Sequence, residues 1–263
     1  MFSEELLGNP VAVVLDGDGL TGEQMQALAR WTNLSETTFV LPPTVEGADY
    51  RVRIFTPAQE LPFAGHPTLG TCHAWATATG VEAAQVVQEC GAGLVPLTRT
   101  GSRWAFQAPP LVRSGPVDPV DVDTIVRILG VDGVLDAQWV DNGPGWVAVL
   151  LPDVDALMAL RPGFLQGRFI GAAALLPPGG PADLEVRAFF DVGGQTVEDP
   201  VTGSLNASLA PWLIGAGRLP AHYVARQGTA IGRRGLVRID QDESGAVWVG
   251  GATVTRVDGR LDL

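Results

Sequence analysis

Apolar and polar positions follow the same order of patterns twice along the chain. β-Branched apolar runs bounded by turn residues, at 11–15 and 147–151, predict buried strands. Each run precedes an amphipathic helical pattern, which begins near Thr21 in the first half and near Asp153 in the second. Two more strands are then predicted in each half, and these cover residues 37–41, 50–55, 172–176 and 184–190.

A helix of unusual composition closes each of these patterns. The segments TLGTCHAWATA and VTGSLNASLAPWLI belong to predicted helices over 67–79 and 200–215, and neither has a charged face. A helix at a protein surface needs a polar side. We therefore expect both helices to be buried on all sides, each wrapped by its own sheet.

Short sequence matches support an internal repeat. VAVVL is repeated as VAVLL, LPP recurs, VRIF returns as VRAF, and HPTLGT resembles DPVTGS. All four matches occur in the same order, and the distance along the chain between the two copies decreases by one residue from each match to the next. The proline-rich segment APPLVRSGPVDP interrupts the patterns, so a boundary is expected near Gly115. The sequence thus predicts an α+β fold with two similar halves, residues 1–115 and 116–263, and a cleft between them.

Composition narrows the class of protein. The 263 residues are 46% hydrophobic and 17% charged, which excludes a disordered chain. The net charge of −12 argues against nucleic acid and anionic membranes as partners. No segment has the pattern of a signal peptide or a membrane span, and the two cysteines are too few for a disulfide framework, so a cytoplasmic protein is expected. Motifs for nucleotides, a serine nucleophile or a metal site are absent, so no cofactor and no metal are predicted.

The starts of the two apolar helices are candidate sites. His66-Pro67 and Asp199-Pro200 occupy matching positions, and Asp before Pro is a favoured helix N-cap. The helix amides near Gly70-Thr71 and Gly203-Ser204 are then expected to bind an anion such as a carboxylate. Two titratable side chains facing each other across the cleft would suit proton transfer. The alternatives are a structural cap for Asp199 and an ordinary loop histidine for His66.

Glu36 adds a third candidate. The repeat aligns LSETTFVLPP with FIGAAALLPP, which places Glu36 opposite Gly171. The acid therefore stands in one half only, where a helix ends and a buried strand begins. Partial burial would raise its proton affinity and suit a general acid or base. The alternative is a solvated loop glutamate.

Several long motifs resemble the PhzF family of phenazine-biosynthesis-like isomerases. They are NLSETTFVLP, FTPAQELPFAGHPTLGTCHA, EDPVTGS and QGTAIGRRG, and the resemblance extends from GNPVAVVLD to the terminal GGATV. It implies a diaminopimelate-epimerase-like fold, no metal or organic cofactor, and a homodimer. By the same resemblance the acid/base glutamate falls on Glu36 beside Ser35, and the histidine of the GHPTLG loop on His66 after Gly65. The aspartate of the EDP motif falls on Asp199, with Gly203 and Ser204 at the helix start.

These features together predict a cofactor-independent isomerase of a small anionic, carboxylated metabolite. Glu36 would carry the proton, with His66 and Asp199 holding the substrate and adjusting its protonation. Two alternatives stay open: an epimerase or racemase on the same fold, and a metabolite-binding protein without activity. Leu205-Asn206 departs from the family pattern after Ser204, and the substrate is not identified by the sequence.

Overall fold

The computed structural model describes residues 6–262, which form two compact units. The first unit contains Pro10–Phe106 and residues 251–262. The second contains residues 6–9 and Gln107–Gly250. The boundary near Gly115 and the division into residues 1–115 and 116–263 stay predictions.

The first unit is built from two helices and a mixed sheet. Its elements, in chain order, are β1 (Val11–Val14), α1 (Gly22–Thr32), β2 (Glu36–Leu41), β3 (Tyr50–Phe55), β4 (Glu60–Leu61), α2 (Gly65–Thr79), β5 (Gln85–Cys90), β6 (Gly93–Thr100) and β7 (Arg103–Gln107). The strand order is β1-β2-β3-β5-β6-β7, and β4 pairs with β3.

The second unit repeats this plan and adds elements before it. Its elements are β8 (Arg113–Pro116), α3 (Pro119–Leu129), β9 (Asp136–Asp141), β10 (Trp146–Leu150), α4 (Val154–Ala159), β11 (Phe169–Leu175), β12 (Leu184–Val192), β13 (Gln195–Asp199), α5 (Gly203–Gly215), β14 (His222–Gln227), β15 (Gly235–Gln241) and β16 (Val247–Gly251). The strand order is β8-β9-β10-β11-β12-β14-β15-β16, and β13 pairs with β12.

The strand pairings confirm the internal repeat. In the first unit, β1–β2 is parallel, β2–β3 antiparallel, β3–β5 parallel and β5–β6 antiparallel. In the second unit, β10–β11, β11–β12, β12–β14 and β14–β15 follow the same sequence of directions. The helices occupy matching places in the order of elements, α1 with α4 and α2 with α5. Among the described residues of the first unit, the segment β8-α3-β9 has no counterpart.

The local signals for the amphipathic helices are confirmed. Thr21 and Gln24 form a reciprocal capping box at the start of α1. Asp153 caps α4 by accepting a hydrogen bond from the backbone of Ala156. Met25 and Leu28 of α1 pack into a hydrophobic cluster with alternate residues of β2, so β2 turns its other face away from α1.

The charge-free helices α2 and α5 are largely buried, as expected. Their exposed residues lie in the last turns, and the earlier turns pack in the interior. Helix α2 packs against β1 and β2, and α5 packs against β9 and β15. The absence of a polar side on each helix is explained by this packing.

The predicted helix starts are wrong in both halves. Helix α5 begins at Gly203 with Thr202 in the N-cap position, and Asp199 is the last residue of β13. Asp199 is therefore not a helix cap, because it pairs with Ala188 in the sheet. Helix α2 begins earlier than predicted, at Gly65, so His66 lies inside its first turn. Pro67 is tolerated there because the first backbone N–H groups of a helix have no partner within it.

The alignment of Glu36 with Gly171 is also wrong. With Arg53 of β3 matched to Arg187 of β12, the register pairs Phe39 with Arg53 and Ala172 with Arg187. Three residues earlier, Glu36 therefore matches Phe169, and Gly171 lies two residues further along. Gly171 is a packing position, because a side chain there would collide with Leu205 of α5 at 2.5 Å. Phe169 thus takes the place of Glu36 in the second unit, and the acid still occurs in one half only.

No helix within residues 6–262 is long and apolar enough to cross a bilayer.

Candidate active site

In the first unit, Glu36 and His66 form a buried pair. Glu36 lies at the start of β2, directly after Ser35, and His66 lies in the first turn of α2, directly after Gly65. The Glu36 Oε2 and His66 Nε2 atoms are 3.3 Å apart, with side-chain exposures of 15% and 4%. Two of the predicted catalytic side chains are thus brought together by a strand and a helix that lie far apart in sequence.

Burial determines the charge of His66. It lowers the pKa of His66 to about 3, and a hydrogen bond to the backbone of Pro10 only partly opposes this effect. The imidazole is therefore neutral near pH 7. Proline has no backbone N–H, so the ring must donate to the Pro10 carbonyl. With its one proton on the nitrogen that faces Pro10, the neutral ring presents Nε2 to Glu36 as an acceptor, so it can bond the Glu36 carboxyl group when that group carries a proton.

Gly70 and Thr71 lie deeper in α2 than the sequence suggested. Since the helix begins at Gly65, their amides belong to its second turn and not to a free helix start. A side chain at Gly70 would collide with Val11, and the Thr71 hydroxyl bonds that of Thr38 at 2.7 Å. Their expected position at a helix start is wrong, and their role in substrate binding stays a prediction.

In the second unit, Asp199 receives two side-chain hydrogen bonds. Asn9 Nδ2 donates to Oδ1 at 3.1 Å, and the Thr202 hydroxyl donates to Oδ2 at 2.6 Å. Burial raises the pKa of the Asp199 carboxyl to about 7, against the effect of these donors, and the charge of Glu198 raises it further. Asp199 is thus suited to exchange a proton near neutral pH.

Gly203 and Ser204 lie at the start of a helix, as predicted. They are the first two residues of α5, where backbone N–H groups have no partner within the helix. The Ser204 hydroxyl accepts a hydrogen bond from Trp146 Nε1 at 3.0 Å. Because an indole can only donate, the hydroxyl hydrogen of Ser204 points elsewhere and can serve a ligand acceptor.

The two adjacent acids of the EDP motif have different surroundings. Arg187 binds Glu198 through two parallel hydrogen bonds, Nε to Oε1 at 3.1 Å and Nη2 to Oε2 at 2.6 Å. Both side chains are buried, at 5% and 8% exposure. Arg187 also donates to the carbonyls of Leu157 and Leu160. Glu198 is therefore held by a structural ion pair, whereas the Asp199 carboxyl group contacts the neutral donors Asn9 and Thr202.

The residues after Ser204, which depart from the family pattern, have structural contacts here. Leu205 is fully buried against Gly171. Asn206 is also buried, and its Nδ2 donates to the Thr202 carbonyl at 2.9 Å and to Gln227 Oε1 at 2.8 Å. This pair thus supports the segment that carries Asp199.

The family model of the phenazine biosynthesis-like proteins, PhzC-PhzF, matches residues 1–259. The chain belongs to the PhzC/PhzF family. This PhzF protein is 38% identical to a trans-2,3-dihydro-3-hydroxyanthranilate isomerase of Pseudomonas fluorescens over 89% of its own chain and 85% of the relative. It is similar to the crystal structure of a PhzC/PhzF protein of Clostridium difficile (strain 630), with a TM-score of 0.80, 25% identity and coverage of 100% and 96%.

The fold extends beyond the PhzF family. A hydroxyproline epimerase of Agrobacterium vitis gives a TM-score of 0.56 at 14% identity, with coverage of 90% of this chain and 79% of the epimerase. This likeness concerns the fold alone. The prediction of an α+β, epimerase-like fold with two similar halves is confirmed.

Sequence reasoning missed the residues that hold Asp199 in this PhzF protein. Asn9, Thr202 and Gln227 all contact it or its backbone. Asn9 and Gln227 lie in GNPVAVVLD and QGTAIGRRG, segments that carried the family resemblance without any assigned chemistry. Their presence in such motifs was the one available signal.

The raised pKa of Asp199 predicts a pH-dependent stability. A folded carboxyl with a pKa of about 7 binds more protons than the unfolded one, whose ordinary value is 3.8. Stability from this group is thus present below about pH 4 and is lost as pH rises from there to about 7. We expect this loss in the free energy of unfolding to be a few kcal/mol at most, and we expect Asp199→Asn to abolish it. Melting temperatures of both proteins between pH 4 and 8 check this, and parallel curves would contradict it.

Proposed function

We propose that this PhzF protein is a cofactor-independent isomerase that moves a proton within a small carboxylated metabolite, with Glu36 as the proton carrier. The observation that carries the proposal is the buried Glu36–His66 pair, in which a carboxyl group lies 3.3 Å from an imidazole. The family membership and the relatives named as isomerases support the same reaction class.

Glu36 is suited to carry a proton because its side chain is largely withdrawn from water. Water would compete for the proton and would screen charge that develops in the substrate. His66 is neutral at working pH, so it does not lock Glu36 as a permanent carboxylate through a full ion pair. In the proposed reaction Glu36 takes the proton from one carbon and returns it to another, and His66 Nε2 accepts a hydrogen bond from the carboxyl group while Glu36 holds the proton.

Asp199 belongs to the proposal through the family motif, and its surroundings support an acid/base role. With a pKa of about 7, both its protonated and its ionised forms are populated near neutral pH. The protonated form can donate a hydrogen bond to a substrate oxygen. The ionised form can accept one from a substrate amine or hydroxyl group.

The proposed substrate is anionic, although the protein carries a net charge of −12. Binding therefore requires donors concentrated at one place. The first amides of α5 and the Ser204 hydroxyl are such donors. Trans-2,3-dihydro-3-hydroxyanthranilate, the compound in the name of the P. fluorescens relative, carries a carboxylate and is the first compound to test.

The reaction is tested by incubation with that compound in deuterated water. We expect a product of the same mass apart from deuterium, with the double bonds rearranged and deuterium at the new C–H position. Deuterium uptake with unchanged connectivity would instead indicate an epimerase. Tight binding of the compound with no exchange would indicate a binding protein and contradict the proposal. The absence of a cofactor, the homodimer and the cytoplasmic location stay predictions.

A further inference from the structure

Gln227 lies at the end of β14 and is completely buried. Its Oε1 accepts from the Thr202 backbone N–H at 3.0 Å and from Asn206 Nδ2 at 2.8 Å. Its Nε2 donates to the Asp199 carbonyl at 3.0 Å and to Thr202 Oγ1 at 2.9 Å. All four hydrogen bonds that a carboxamide can form are therefore used.

The orientation of this amide is fixed by its partners. A backbone N–H can only donate, so the atom that faces Thr202 N must be the oxygen. A backbone carbonyl can only accept, so the atom that faces Asp199 O must be the nitrogen. A flipped amide would place its NH2 group against the backbone N–H of Thr202 and its oxygen against the carbonyl of Asp199.

The fixed amide sets the direction of the Thr202 hydroxyl. Because Gln227 Nε2 donates to Thr202 Oγ1, the hydroxyl acts as an acceptor on that side. Its own hydrogen is then directed to Asp199 Oδ2, 2.6 Å away. Gln227 thus acts on the carboxyl group through Thr202 and on the backbone of Asp199 directly.

We propose that Gln227 is a positioning residue for Asp199: it obliges the Thr202 hydroxyl to donate to the carboxyl group and so fixes that group for proton transfer. The positioning of Asp199 by Gln227 is inferred from the hydrogen bonds alone. Its importance for catalysis rests on the proposed function.

The loop after Gln227 is hydrogen-bonded to Gly8, the residue before Asn9, and Asn9 is the second donor to Asp199. Gly228 has a φ of +81°, and a side chain there would meet the Pro200 carbonyl at 2.5 Å. Further along the loop, Arg233 Nε donates to the Gly8 carbonyl at 2.8 Å, and Gly8 N donates to the Arg233 carbonyl at 2.6 Å. The QGTAIGRRG segment therefore passes close to Pro200 and is hydrogen-bonded to Gly8, the residue before Asn9.

Charged groups on the elements around Asp199 are engaged with other partners. Glu198 on its own strand binds Arg187 of β12, and Arg226 of β14 binds Glu185 of β12. Helix α5 carries no charged side chain, and residues 6–9 carry none. Neutral donors are therefore the groups through which Gln227 can change the titration of Asp199.

The test measures the titration of Asp199 by NMR of ¹³C-labelled aspartate carboxyl groups, with the Asp199 signal identified by its loss in Asp199→Asn. Gln227→Met should raise the pKa of Asp199 by roughly one pH unit, because a donor to the charged form is no longer held in place. Thr202→Val should raise the pKa of Asp199 by the same amount. In the Thr202→Val protein, the additional change Gln227→Met should cause no further rise in this pKa. Thr202→Ser should restore the wild-type value.

Gln88 supplies a matched control. It is also a fully buried glutamine that donates to a threonine hydroxyl, Thr68 at 3.1 Å, and accepts from Tyr50. Gln88→Met removes similar hydrogen bonds from the first unit and should leave the pKa of Asp199 unchanged. If Gln227→Met leaves that pKa unchanged while Thr202→Val raises it, Gln227 is only a packing residue and the inference fails.

Gln227→Glu serves if Gln227→Met does not fold. It keeps the oxygen that accepts from Thr202 N and Asn206, and it removes the donating half. Thr202→Val should then cause no further rise in the pKa of Asp199. A further rise as large as in the wild-type background would show that Thr202 still donates to Asp199 without Gln227, and would overturn the inference.

A second measurement, of the reaction itself, follows the rate of deuterium incorporation as a function of pH. In Gln227→Met the limb that belongs to Asp199 should move in the direction and by the amount that the NMR titration shows. The titration needs no substrate, so a shifted titration without any exchange in wild type would defeat the proposed function alone. Exchange in wild type with an unmoved titration in the variant would defeat the inference alone.

Discussion

Glu36→Gln is expected to lower turnover by about 10²–10⁴-fold while keeping the fold and much of the affinity for the ligand. The amide has the shape of the carboxyl group and can still contact His66 Nε2, but it cannot take up a proton at working pH. Deuterium incorporation into trans-2,3-dihydro-3-hydroxyanthranilate gives the rate, and calorimetric titration gives the affinity. The circular dichroism spectrum should be unchanged.

The matched control is Glu23→Gln, the same substitution at an exposed position in the first turn of α1. It should exchange at the wild-type rate. Asp199→Asn is the decisive comparison, because both acids are candidates for the proton carrier. If Glu36→Gln exchanges as fast as wild type and Asp199→Asn is inactive, Asp199 is the base and the assignment of Glu36 is wrong.

The repeated elements could be predicted from the sequence because their signals are local. The strands near Val11 and Val147 show apolar runs between turn residues. The capping box at Thr21 involves only four consecutive residues, so it can be recognised in the sequence. The repeat argument then used each half to support the other. It could not find β8, α3 and β9, since the part of the first unit that the structure describes has no counterpart of these elements.

The starts of the buried helices could not be predicted from their prolines. Asp199-Pro200 has the local form of a cap followed by the first helical residue. In the structure, Asp199 pairs with Ala188 and accepts a hydrogen bond from Thr202, and the helix begins only at Gly203. Tertiary contacts therefore override the local preference.

Apart from their place in the family motifs, the residues that support Asp199 had no signal in the sequence. Asn9 is 190 residues away from Asp199 along the chain, and Gln227 is 28 residues away. Neither residue type signals chemistry, because amides do not titrate. Their function appears only when the direction of each hydrogen bond is considered.

Arg187→Met is expected to destabilise the protein by about 3–5 kcal/mol. The substitution keeps the length and apolar stem of the side chain but leaves Glu198 as a buried charge without its partner. It also leaves the carbonyls of Leu157 and Leu160 without the donor that they share. The free energy of unfolding from urea titration at pH 7 measures the effect.

The internal repeat provides the control for this substitution. Arg53 binds Glu60 with the same two-bond geometry and lies over Phe55, as Arg187 lies over Phe189. The Arg53–Glu60 side chains are 31% and 43% exposed, against 5% and 8% for Arg187–Glu198. Arg53→Met should therefore cost at most about 1 kcal/mol, because water takes over the role of the lost partner.

Burial, and not the number of hydrogen bonds, is the reason for the difference between the two pairs. If so, replacing both members should be much less harmful than replacing one, since no buried charge is left behind. Arg187→Met combined with Glu198→Met is expected to recover most of the stability lost in Arg187→Met alone. Equal losses in Arg187→Met and Arg53→Met, or a double variant less stable than Arg187→Met, would show that an unpaired Glu198 is not the cause.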